Sequence, residues 1–213
     1  MNGVRTTADL VCVTACAVLL IMTVISIIET QQLSYNVNTG LFCAFFCLVP
    51  MLFRRAKFFE LPLTMVILIE VAIFLHGYGV LFMEYDSIQY WDTVTHSFSS
   101  ITVAFCAFYA LMAISFFDPM ARFSRKWMPL FIFIVVVAFG AYWESFEFAV
   151  DNMWGTNMQY SPWDTIRDLI CDVGGALLVA VYAHLYLKTR SREEFIEKLK
   201  IHPRLGRIAK SRG

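Results

Sequence analysis

The sequence predicts an all-α polytopic membrane protein: a bundle of six transmembrane helices with both termini cytoplasmic. Three observations lead there. Of the 213 residues, 59% are hydrophobic and 16% charged, against about 25% charged in an ordinary soluble domain, and the mean hydropathy is +0.63. Six apolar stretches approach the roughly 20 residues that a helix needs to cross a hydrocarbon core. Lys and Arg are confined to alternate connections, as a polytopic chain with an even number of spans requires.

The predicted spans are Leu10–Ile28, Thr39–Phe53, Leu61–Met83, Val94–Phe117, Trp127–Phe148 and Ile166–Leu187. The first follows Arg5 and superficially resembles a secretory leader. Its apolar run is long, and Glu29-Thr30-Gln31-Gln32 is a poor cleavage site, so it reads as a retained helix. The second is short and is completed by Tyr35–Asn38. Arg54, Arg55 and Lys57 follow the second span; Arg122, Arg125 and Lys126 precede the fifth. Lys188, Arg190, Arg192, Lys198, Lys200, Arg204, Arg207, Lys210 and Arg212 follow the sixth. The loops 30–38, 84–93 and 149–165 hold neither Lys nor Arg. This asymmetry predicts a multi-pass protein of the cytoplasmic (inner) membrane, with the basic loops inside. Residues 1–188 form the predicted membrane domain and 189–213 a basic cytoplasmic tail.

Within that tail, Phe195, Ile196 and Leu199 share a helical face opposite the charges, which predicts a short amphipathic helix at the membrane surface. Ser191 is its expected cap, with Glu194 three residues on, and Pro203 its end. The basic residues favour anionic lipid headgroups by roughly 1 kcal/mol each. Nothing else suggests nucleic-acid binding. Trp91, Trp143, Trp154, Trp163, Tyr85, Tyr90 and Tyr160 cluster toward the outer interface, as an aromatic belt does.

The six cysteines lie within the spans. Cys12/Cys16 and Cys43/Cys47 are spaced by four, and none is in an outer loop where oxidation would pair them. They read as small apolar helix residues; a zinc site usually has tighter spacing and more polar surroundings.

The informative residues are ionisable groups inside the apolar spans, where charge is costly and marks a candidate site. Asp92 and His96 open the fourth span, one turn apart. Glu144, Glu147 and Asp151 form a stripe at the end of the fifth. Asp164, Asp168 and Asp172 form another at the start of the sixth, with Asp164 also a candidate helix cap. The third span adds His76 near its outer end and Glu70 near mid-depth. Arg167 is the one nearby Lys or Arg. One cation cannot balance so many acids, so either some carry protons or a metal or cationic ligand compensates. Gly140-Ala141 and Gly174-Gly175-Ala176 lie beside these stripes and predict close packing of the fifth and sixth helices.

The run Tyr90-Trp91-Asp92-Thr93-Val94-Thr95-His96 resembles the Asp-x-x-x-His element of the bacterial membrane proteins that include YjdF. Glu144-x-x-Glu147 and Trp163-Asp164-Thr165-x-x-Asp168-x-x-x-Asp172-x-x-Gly175-Ala176 resemble the rest of that pattern. The set is more distantly similar to VanZ-like proteins, with Asp172 where their pattern has Asn. The resemblance spans roughly residues 60–188. It implies a helical membrane bundle with its polar motifs on one side, and it carries no activity with it.

Three functions are open on these grounds. The first is an enzyme dependent on a divalent metal (Zn, Mn, Fe or Mg) that acts on a lipid-linked or phosphate-bearing substrate. Its ligands would come from His96, Glu147, Asp168, Asp172, Asp92 and His76, with Glu144 as general base and Arg167 holding a substrate anion. The second is an ion- or proton-coupled transporter using Glu70 and the carboxylate stripes; the sparse inner half and the lack of a visible repeat speak against it. The third is a non-catalytic accessory or scaffold protein with the charges paired internally.

Overall fold

In the computed structural model, residues 2–30, 35–117 and 123–199 are described. Among them the secondary structure is helical, without strands. The helices are α1 (Asn2–Thr30), α2 (Tyr35–Cys47), α3 (Val49–Arg55), α4 (Leu63–Leu81), α5 (Glu84–Ser87), α6 (Trp91–Phe117), α7 (Met128–Trp154), α8 (Pro162–Thr189) and α9 (Arg192–Leu199). Six segments are long and apolar enough to cross a membrane: Thr7–Glu29, Tyr35–Arg55, Leu63–Leu81, Trp91–Phe117, Met128–Trp154 and Pro162–Thr189. Arg122, His202, Pro203 and the basic residues from Lys200 onward lie outside the described residues.

The second span is two helices. Pro50 lacks an N–H and its ring crowds the carbonyl four residues back. The helix therefore breaks at Leu48, whose N–H turns to the Phe45 carbonyl at 3.0 Å, and restarts as α3. The sequence placed the start of the fourth span at Val94 and of the sixth at Ile166; both helices begin earlier, at Trp91 and Pro162. Asp92 and Asp164 are therefore helical residues. Ser161 supplies the cap of α8, its hydroxyl accepting from the Asp164 N–H at 3.2 Å. With Pro162 at the first position, the helix start is set by residues outside the acidic stripe. Asp164 is not the cap.

The helices fall into two compact units. The first holds the chain up to Trp91. Its α1, α2 and α4 pack through Leu19, Met22, Cys43, Ala44, Cys47 and Leu81. A second cluster joins Ala8, Cys12, Met51 and Val66. At its basic end Arg54 forms an ion pair with Asp9, and Arg55 lies 3.6 Å from the same carboxylate.

The second unit is Asp92–Phe195. Here α6, α7 and α8 run alternately up and down. Glycines set the approach: a Cβ at Gly175 would meet the Ser100 hydroxyl and the Ile101 backbone nitrogen, at 2.6 and 3.0 Å. Many large apolar side chains face outward, including Phe148 at 59%, Ile170 at 64% and Leu178 at 56% exposure. Exposed apolar area of this extent belongs against lipid.

Ser191 does accept from the Glu194 N–H, at 3.1 Å. The apolar face of that last helix is nevertheless turned inward at Phe195. Phe195 is buried against Phe108, Tyr109 and Tyr186, with ring centroids 5.0, 4.6 and 5.8 Å away.

A buried acid and imidazole site in the second unit

Three helix ends meet in the second unit: the start of α6, the end of α7 and the start of α8. Each brings its ionisable residues at helical spacing, so each stripe points one way. Asp92, His96 and Asp168 each offer one ligand atom, and these atoms lie within 4.8 Å of one another. His96 Nε2 is 3.6 Å from Asp92 Oδ1. Its other nitrogen, Nδ1, is 3.9 Å from Asp172 Oδ1. The imidazole thus stands between two carboxylates, one per nitrogen. Among the described residues, these are the three acid or imidazole groups that converge as a metal site would require.

Asp172 is held by a notch. A Cβ on Gly140 would collide with its carboxylate. Glycine at 140 is therefore what lets α7 approach α8 closely enough to seat Asp172 beside His96. The close approach of these helices at the acidic site was expected from the sequence.

Glu144 is buried, and both its oxygens lack a hydrogen-bond partner; Asp168 Oδ1 is in the same state. Glu144 interacts electrostatically with both Glu147 and Asp168. Glu147 Oε1 accepts from Trp143 Nε1 at 2.8 Å, which leaves it partly satisfied within α7. Arg167 is paired with Asp164 one turn back. Its NH2 group is thereby engaged, while Nε is buried without a partner.

Six carboxyl groups therefore gather near one guanidinium that is already paired. Two ionised carboxylates about 5 Å apart repel by about 3 kcal/mol at an effective dielectric of about 20. Buried oxygens without donors add a desolvation cost of about 1–3 kcal/mol each. A cation seated among Asp92, His96 and Asp168 relieves both penalties, and a shared proton relieves part of them. One nitrogen ligand with two or three carboxylate oxygens suits Zn, Mn or Fe, and Mg less well.

Among the described residues, Asp151, His76 and Glu70 are not in the group that converges with His96. Asp151 serves the loop after α7, where it accepts from Thr156 Oγ1 (2.6 Å), Met158 N (2.8 Å) and Gln159 N (2.9 Å). Gly155 turns that loop with a left-handed φ of 68°. His76 belongs to the first unit, and its Nδ1 is 3.0 Å from the Tyr85 hydroxyl. Glu70 is also in the first unit, buried in α4.

A six-span membrane protein with a buried acid and imidazole cluster in its last three spans is thus defined. The chain belongs to the family described as "Predicted membrane protein (DUF2238)", whose model matches residues 11–189, from within α1 to the end of α8. The resemblance to YjdF-like proteins agrees with that membership; the distant similarity to VanZ-like proteins rests on motif alone. A Thermotoga maritima protein, described only as uncharacterized, is 27% identical over 138 residues, covering 62% of this chain and 67% of its own. No solved structure matches the chain.

Proposed function

We propose that the protein is an integral membrane enzyme that holds a divalent cation and acts on a phosphate-bearing, lipid-linked substrate. The observation that carries this reading is the convergence of Asp92, His96 and Asp168 beside buried carboxylate oxygens that have no donor. In the proposed roles, Asp92, His96 and Asp168 are ligands. Glu144, buried and unpaired, is the general base. Asp172 and Glu147 complete the negative wall. Arg167 Nε is the donor left for a substrate anion. A cation here would supply Lewis acidity toward a phosphoryl oxygen and lower the pKa of a bound water. Arg125 and Lys126 before α7, and Lys188 and Arg190 after α8, flank the opposite helix ends. On the positive-inside rule the site faces the extracytoplasmic side of the cytoplasmic membrane, with both termini inside.

The test is elemental analysis of the full-length protein, purified in detergent after exposure to Zn, Mn, Fe and Mg in turn. About one divalent ion per chain is expected in the wild type, and loss of it in Asp168→Asn and His96→Ala that remain helical by circular dichroism. Phosphate release from phosphate-bearing lipid vesicles should disappear with the ion and also in Glu144→Gln, which keeps it. A wild type that takes up no divalent ion removes the enzyme reading.

A further inference from the structure

The basic end of the second span, in the first unit, turns on a residue ill suited to the turn. α3 closes with Arg54 and Arg55 in its last turn, where cations complement the helix dipole. The chain then reverses at Lys57. The Lys57 N–H donates to the Arg54 carbonyl at 3.1 Å, and the Phe58 N–H to the Phe53 carbonyl at 3.0 Å. This pair of bonds is the Schellman end of a helix, whose reversing residue takes a left-handed conformation. Lys57 does so, with φ 60°. Glycine adopts that conformation without strain, and the left-handed residue after α7 is Gly155, at φ 68°. A strained position held by a charged side chain is a candidate for function.

The turn presents rings and cations together. Phe53 stacks on Phe59 with centroids 5.2 Å apart, and meets Phe58 edge-on at 5.9 Å. Phe53 and Phe58 are 41% and 42% exposed. Arg54 is engaged by Asp9. Arg55 lies 3.6 Å from the same carboxylate, yet 62% of its side chain is exposed. Lys57 is exposed two residues on. The membrane-length segment runs Tyr35–Arg55, so the turn begins where acyl chains give way to headgroups. On the positive-inside rule this is the cytoplasmic leaflet. The cations suit a phosphate and the exposed rings suit the apolar layer beside it; a soluble anion would use the cations alone.

We infer that the turn from Phe53 to Phe59 binds an anionic phospholipid. Arg55 and Lys57 donate to its phosphate, and the three rings lie against the glycerol and upper acyl chains. The Schellman bonds hold the backbone of both cations, so less freedom is lost on binding than in an unstructured basic segment. A cation near an anionic surface strengthens binding by about fivefold. This site stands independently of the enzyme reading, because it shares no residue with the Asp92, His96 and Asp168 cluster.

The experiment places the full-length protein in phosphatidylcholine nanodiscs that contain a trace of photoreactive phosphatidylglycerol. Illumination links the lipid to the protein, and peptide mass spectrometry maps the link. Capture on the 53–59 segment is expected, competed by unlabelled phosphatidylglycerol and not by inorganic phosphate. Arg55→Ala and Lys57→Ala should each lower that capture about fivefold. Lys57→Gly should lower it equally with a thermal unfolding midpoint at or above that of the wild type, because glycine keeps the turn. That variant separates loss of the charge from loss of the fold. Lys57→Arg should retain capture, and so should Lys126→Ala in the other basic connection. No capture on the segment, wild-type capture in Arg55→Ala and Lys57→Gly, or capture that inorganic phosphate removes overturns the assignment.

Discussion

The two units bury carboxylates in opposite ways. The second unit crowds Asp92, Glu144, Glu147, Asp164, Asp168 and Asp172 around one imidazole and one guanidinium. The first buries Glu70 at 4% exposure with a hydrogen-bond partner for neither oxygen. In the crowded case mutual repulsion adds to desolvation, and it falls steeply when a cation arrives. In the isolated case the dominant cost is desolvation, which a proton removes as well as a metal does. A hard or borderline divalent ion therefore fits the second unit.

The largest effect that separates these cases is the response to charge removal in metal-free protein. Asp168 is 1% exposed and lies within 4.8 Å of Asp92. Asp168→Asn removes a repulsion of about 3 kcal/mol at most. It should raise the thermal unfolding midpoint in the presence of chelator, more so as the pH rises and more neighbours ionise. With a divalent ion present the order should invert, because the wild type alone gains binding energy. Glu70 is not in that converging group, so the chelated stability of Glu70→Gln should change by less than about 1 kcal/mol. Equal midpoint shifts for the two substitutions would erase the contrast between the units.

Gly140 sharpens the comparison inside the second unit. The Cβ introduced by Gly140→Ala would strike the Asp172 carboxylate, so helix or side chain must move. Overpacking of this kind costs about 1–3 kcal/mol. It should also weaken the divalent site by about 10–100-fold, the usual effect of losing a carboxylate that orients a metal-binding histidine. Gly174, which has nothing within 4 Å of an added Cβ, is the control. Gly174→Ala should leave ion affinity unchanged.

How much of this was legible in the sequence depends on whether a feature is local to one helix. The stripes Asp92/His96, Glu144/Glu147 and Asp164/Asp168/Asp172 were legible because helical spacing alone puts them on common faces. The Gly140 contact was half legible: small residues announced close packing, but not that Asp172 would fill the gap. Cys12 and Cys47 read as packing residues, and both are buried in the core clusters of the first unit. Phe195 was assigned to a membrane-surface face because its partners Phe108, Tyr109 and Tyr186 lie far away in sequence. Ser161 was passed over as the cap of α8 because the apolar run begins four residues later than the helix does.

Asp151 gives the smallest effect and the cleanest separation of structure from site. It shares the helical stripe of Glu144 and Glu147, so the sequence grouped all three. Its carboxylate, however, is spent on the hydroxyl of Thr156 and the backbone N–H groups of Met158 and Gln159. These are charge-assisted bonds in a half-exposed loop, where water competes for the same donors. Asp151→Ala should therefore cost about 1 kcal/mol or less of global stability and loosen the 155–160 loop, read as faster amide hydrogen exchange at Met158 and Gln159. Divalent ion content should stay at the wild-type level, whereas Asp168→Ala, at a proposed ligand, should lower it. An Asp151→Ala protein that loses the ion would extend the site to the end of α7 and dissolve the division between loop acid and site acid.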